Sequence, residues 1–127
     1  MLTLPPLIHD LTNTPCRANA FRVALSTPAP HLLQELAPFV HFRTCGYTRN
    51  LVYRCPDFEA ILLCWNPGQL TPIHDHNGSE GWMLGLQGCV EEVRYRVDPT
   101  RGCVCEVGRA TCQPGDQVAH INDNIAW

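Results

Sequence analysis

Apolar and polar positions change their rhythm near Phe42. Before it, Pro residues punctuate the chain, and two stretches between them carry apolar residues at helical spacing. The first runs from Cys16 to Leu25, with Ala18, Phe21, Val23 and Leu25 as an imperfect stripe. The second follows Pro30, where Leu32, Leu33, Leu36 and Phe39 recur until Pro38 interrupts them. Beyond Phe42, short runs of Val, Ile, Tyr, Trp and Cys alternate with turn signals: Asn66-Pro67-Gly68, Gln87-Gly88, Asp98 to Gly102, and Pro114-Gly115-Asp116. That rhythm predicts an antiparallel β-barrel or sandwich. Val90 to Val97 alternates strictly, with Val93, Tyr95 and Val97 on one side and Glu92, Arg94 and Arg96 on the other. Period two predicts a strand with one buried face. With no linker and no repeat, the expectation is one mainly β domain over residues 1–127, a helical layer at 1–41 and the barrel portion at 42–127.

Composition narrows the function classes. The chain has 127 residues, a formal net charge of -3 and basic residues that are all Arg. It has no electrostatic footprint for nucleic acid or an anionic membrane. No apolar run reaches the roughly 20 residues that span a bilayer. The start, Met1-Leu-Thr-Leu-Pro-Pro, lacks the basic-then-apolar pattern of a secretory signal. The expectation is a cytoplasmic protein whose eight Cys stay reduced. Cys103-x-Cys105 with Cys112 invites a zinc reading, but the spacing is not that of a knuckle or ribbon, and thiols scattered through a β core are expected instead.

The sharpest local signal is Pro72-Ile-His74-Asp75-His76. On a strand, residues i and i+2 point the same way, so both imidazoles would project together with Asp75 opposed. Two neutral imidazoles side by side form a partial site for a divalent metal such as iron, zinc or nickel. Taken alone, the pair reads equally as surface or core histidines.

Gly68-x5-His74-x-His76-x4-Gly81-x6-Gly88 resembles the first motif of the cupin barrels, with Gly81 where most cupins carry a metal-binding Glu. The ordered blocks Tyr47-Thr-Arg-Asn-Leu-Val52, Ile61-Leu-Leu-Cys-Trp65, Ile73-His-Asp-His76, Leu86-Gln-Gly88 and His120-Ile-Asn-Asp-Asn-Ile125 resemble the cysteine dioxygenases, which are mononuclear non-haem iron enzymes. The resemblance implies a cupin-type antiparallel β-barrel and Fe(II) held by His side chains, with His74 and His76 as two ligands. It implies L-cysteine and O2 as substrates. Arg49 would clamp the substrate carboxylate through paired hydrogen bonds, and Tyr47 would line the same pocket. Without the resemblance, Arg49 reads as an ion-pair partner of one of the twelve acids. Glu80 adjoins Gly81 but points the opposite way on a strand and is not expected to ligate. Some family members cross-link a Cys at the position of Gly81 to a Tyr; Gly cannot do this. Trp65 is expected to pack in the barrel wall.

The third family His would lie three residues beyond Ile125, past Trp127. His120, four residues before Asn124, is the substitute ligand within this sequence. A barrel incomplete at its C-terminus leaves strand edges open to pairing with another chain. The 127-residue chain by itself is therefore expected to show little or no dioxygenase activity. Two other readings keep part of this picture. One is a dioxygenase for another small thiol such as 3-mercaptopropionate, and the other a non-catalytic cupin that binds a metal or a partner chain.

Overall fold

The computed structural model describes residues 28–74, 81–115 and 117–121. The chain forms two compact units, residues 1–70 and 71–127. The described residues are mainly β, consistent with a cupin-type β fold, and their strands form two-stranded ladders that do not close into a barrel. The helix expected at Cys16 to Leu25 lies outside the described residues. No helix among the described residues is long and apolar enough to cross a membrane.

In the first unit, α1 (Ala29–Leu36) begins on Pro28, whose carbonyl accepts from the N–H groups of His31 and Leu32. Pro30 is tolerated because it sits in the first turn, where a helix has no intrahelical use for an N–H. Leu32 and Leu36, one turn apart, are the buried stripe, Leu32 at 1% exposure. Pro38 cannot continue the ladder, and the chain tightens into a 3-10 turn at Ala37–Phe39. The expected interruption is therefore where the helix ends.

Strands β1 (Thr48–Arg54) and β2 (Glu59–Cys64) pair antiparallel from Thr48↔Cys64 to Arg54↔Glu59, with Val52 as an extra residue where the register shifts. After β2, the Gln69 N–H donates to the Asn66 carbonyl at 3.1 Å, and Gly68 has φ 86°. Pro at the second position and a left-handed Gly at the third define a type II turn, as the sequence signal implied.

In the second unit, β3 (Gly81–Leu84) pairs with β6 (Gln117–Ile121), and β4 (Val90–Asp98) with β5 (Cys103–Cys112), all antiparallel. Two backbones meet at Gly85. A Cβ there would stand 2.6 Å from the Gln113 carbonyl oxygen and 2.9 Å from Cys112 Sγ, while the Gly115 N–H donates to the Gly85 carbonyl at 2.8 Å.

Strand β4 exists where expected, but its burial departs from the face that the alternation marked. Glu92 is buried, at 6% exposure, whereas Val97 is 62% exposed. The register shift between Arg94 and Tyr95 puts its extra residue, Val107, on β5, so β4 keeps its alternation, and its most buried side chain, Glu92, lies on the face opposite Val97. Glu92 tolerates its burial because Arg94 Nε donates to its carboxylate. The thiols also depart from expectation. All seven described cysteines are free, yet only Cys64 and Cys112 are buried, while Cys103 and Cys105 are exposed.

Candidate functional site

The clearest local construction lies at the start of β1. Thr48 and Asn50 point to one face, where Thr48 is buried and its hydroxyl donates to the His41 carbonyl. Asn50 Nδ2 is within hydrogen-bonding distance of Thr48 Oγ1 at 2.9 Å, the Leu62 carbonyl at 3.1 Å and Cys64 Sγ at 3.7 Å. Period two then sends Arg49 to the other face, where it is exposed. Among the described residues it makes no ion pair, so the simple surface-pair reading of this guanidinium finds no partner there.

Tyr47 precedes Thr48, and Trp65 follows its partner Cys64. The two rings stack, with centroids 5.6 Å apart and planes 19° from parallel. Half-buried Tyr47 is thus held at the end of the ladder, two residues from Arg49. Offset stacking adds roughly 0.5–1.5 kcal/mol beyond area burial. Sequence reading placed Trp65 in a wall; its role beside Tyr47 follows from the β1–β2 register, which a single sequence does not display.

His74 belongs to the second unit. It precedes β3 without being part of a strand, and its ring is exposed. Pro72, two residues earlier, lacks an N–H for a ladder. The His74 Nδ1 atom lies 2.7 Å from the Pro72 carbonyl oxygen. A carbonyl only accepts, so Nδ1 carries the proton, and in the neutral ring Nε2 carries the lone pair. Fixing one ring nitrogen by a backbone hydrogen bond is how metal-binding imidazoles are commonly oriented. The residue therefore suits an intermediate divalent ion such as Fe(II). His76 and Glu80 lie outside the described residues. His120 lies in β6 within the irregular stretch between the pairs Gly81↔Ile121 and Met83↔Val118.

The fold class is mainly β with a partial cupin-like plan, and the sequence comparisons specify the family. The cysteine dioxygenase type I family model matches residues 8–126. Cysteine dioxygenase type 1 of Homo sapiens is 32% identical over 92 residues, covering 72% of this chain and 46% of that protein. The Rattus norvegicus protein of that name is 33% identical over 93 residues, with the same coverage of 72% and 46%. The Danio rerio protein is 33% identical over 96 residues, covering 72% of this chain and 47% of its own. This chain belongs to the cysteine dioxygenase type I family. It spans about half the length of the curated relatives it matches.

Proposed function

We propose that the chain carries metal- and substrate-binding elements of a thiol dioxygenase that takes L-cysteine and O2 to cysteine sulfinic acid. Residues 1–127 form one cupin domain in this reading, with 1–41 as the helical layer. The observation that supports it best is Arg49: it stands exposed on β1, opposite the Thr48–Asn50 network and two residues from Tyr47, inside a family match that spans residues 8–126. A fixed guanidinium can take a carboxylate through two parallel hydrogen bonds, which orients a small amino acid as a lysine would not.

His74 and His76 would hold Fe(II), with His120 as the substitute third ligand. Bound there, the metal supplies the redox chemistry by which O2 reacts with a thiolate. The protein residues do the rest. Arg49 fixes the substrate carboxylate, the Tyr47 hydroxyl offers a hydrogen bond in the same pocket, and the His74 Nδ1–H bond to Pro72 keeps Nε2 as the ligating atom. Both oxygen atoms end on sulfur and no other oxidant is consumed. The free thiols of the described residues fit a reducing, cytoplasmic setting. Strand edges unpaired among the described residues would offer pairing to a second molecule.

Ligand coupling tests this without requiring fast turnover. Fe(II) is titrated anaerobically into the chain with and without L-cysteine; O2 is then admitted and sulfinate is quantified. If L-cysteine tightens Fe(II) binding, linkage requires Fe(II) to tighten L-cysteine binding by the same factor. The expected result is Fe(II) binding that L-cysteine tightens, with the coupling lost in Arg49→Gln and Fe(II) binding itself weakened in His74→Ala. Coupling by 3-mercaptopropionate, which lacks the amino group, should be weaker than by L-cysteine. Variants that bind Fe(II) and L-cysteine as the parent does would sink the reading.

A further inference from the structure

The hairpin joining β4 to β5 brings together three potential ligands that the reading above does not use. Its turn is built by Asp98, whose Oδ1 accepts from the N–H groups of Thr100 at 3.0 Å and Arg101 at 3.3 Å. Gly102, at φ 66°, takes the left-handed position that lets its N–H donate to the Asp98 carbonyl at 3.0 Å. This closure sets Asp98 opposite Cys103, and Cys105 lies two residues further along the same face of β5. One carboxylate oxygen of Asp98 and the two thiol sulfurs lie within 4.8 Å of one another, Asp98 half-buried and both cysteines exposed. The sequence pattern had suggested Cys112 as the companion of this Cys-x-Cys pair, but Cys112 is buried at the far end of β5. The cross-strand companion is Asp98.

We propose that Asp98, Cys103 and Cys105 form a binding site for a thiophilic divalent transition metal, zinc(II) foremost. Zinc takes thiolate at about 2.3 Å and carboxylate at about 2.0–2.2 Å in a tetrahedral set. Two sulfurs so bound stand roughly 3.8 Å apart, so the three groups need only small rotamer shifts to close on an ion. Water would fill the fourth position. The backbone bonds to Asp98 Oδ1 orient the carboxylate in advance, the part that supporting hydrogen bonds commonly play at metal sites. A dication takes both thiols as thiolates, and binding releases their protons. Two guanidiniums oppose the ion. Arg96 pairs across from Cys105, and Arg101 Nε lies 3.7 Å from Asp98 Oδ2. Both side chains are exposed and long enough to turn outward.

Cobalt(II) is the probe, because cobalt bound to thiolate gives a near-ultraviolet charge-transfer band that cobalt bound only to imidazole lacks. The titration uses the full chain, kept reduced by a phosphine, with Cys16, Cys45, Cys55 and Cys89 changed to Ser. Circular dichroism confirms the fold of each variant. The expected result is one equivalent bound with a thiolate band that zinc(II) displaces. Cys103→Ser or Cys105→Ser should weaken binding at least tenfold and reduce the band. Asp98→Asn keeps the turn acceptor but loses the charge, and should weaken binding about tenfold while the band survives. Arg101→Gln should tighten binding severalfold, an effect that a purely structural role for the turn does not produce. The proposal is overturned if cobalt binds without a thiolate band, or if the band is unchanged in Cys103→Ser and Cys105→Ser. His74→Ala leaves this band in place whether or not the dioxygenase reading survives, so the two fail separately.

Discussion

Two hairpin ladders among the described residues, β1–β2 and β4–β5, share a topology and differ in what holds them. The first is the shorter, yet it is fastened from both faces: Thr48, Asn50 and Cys64 join in a polar network on one, and Tyr47 stacks on Trp65 at its end. The second runs through nine residues of β4, but much of its length is exposed, and apart from the pair of Arg94 with buried Glu92 its ion pairs, those of Arg109 with Glu91 and Glu106, are exposed. Exposed ion pairs each contribute about 0–1 kcal/mol, whereas removing one partner from a buried hydrogen-bonded group costs about 1–3 kcal/mol. Ladder length is thus a poor guide to where the chain is fixed. The better fixed ladder is also the one that carries Arg49, the residue proposed above to meet a carboxylate.

The largest expected effect in the second unit falls off the ladder, at Gly85. Gly85→Ala forces a methyl to within 2.6 Å of a backbone oxygen, which cannot rotate away as a side chain would. Overpacking of this kind costs about 2–3 kcal/mol. Hydrogen exchange should lose protection chiefly in peptides from residues 81–121, and the urea midpoint should fall. An unchanged midpoint would mean that the crossing of Gly85 and Gln113 does not secure this unit.

A smaller loss, about 1–2 kcal/mol, is expected for Asn50→Ala, which removes the hydrogen bonds to Thr48 Oγ1 and the Leu62 carbonyl. Here the loss of protection should centre on β1 and β2. Asn50→Asp should be worse than Ala at neutral pH, because a carboxylate cannot donate to the Leu62 carbonyl and would face its lone pairs. If Asp proves as stable as Asn in urea titration, the network is not what fixes β1.

Sequence reading recovered the elements better than their faces. The helix at Ala29–Leu36 was legible because Leu32 and Leu36 repeat one turn apart and Pro38 stops them. The turns at Gly68, Gly88, Gly102 and Gly115 were legible because each needs a left-handed residue, and all four have positive φ. Strand β4 was legible, but its most buried position was not, because a charged letter such as Glu92 reads as solvent-facing until its partner Arg94 is seen. The site divides similarly. The block around Arg49 reads as a strand, whereas the service of its neighbours Thr48 and Asn50 to β1 was hidden in polar letters. The stack of Tyr47 on Trp65 and the approach of Asp98 to Cys103 both join residues through strand register. Spacing along the chain does not encode those meetings.

The smallest effect tests whether the ion pairs of β4–β5 matter at all. Arg109 donates to Glu106 Oε1 from Nε at 2.9 Å and from Nη2 at 2.7 Å, and also reaches Glu91 across the ladder. The hydrogen bond from Arg109 holds the Glu106 carboxyl below its ordinary range, its charge helps, and desolvation opposes. A carboxylate lowered on folding adds stability above its unfolded pKa and loses it as pH falls through the folded value. The contribution is therefore intact at neutral pH and fades only on the acid side of the ordinary Glu range, near pH 4.3 and below. Arg109→Gln should move the Glu106 titration back up toward that range, as read by side-chain carboxyl NMR, and salt should do part of the same in the parent. Stability at neutral pH should barely change, because both partners are solvent-exposed. A large drop in the urea midpoint at neutral pH would instead give these surface charges a structural weight equal to the β1 network and erase the contrast between the ladders.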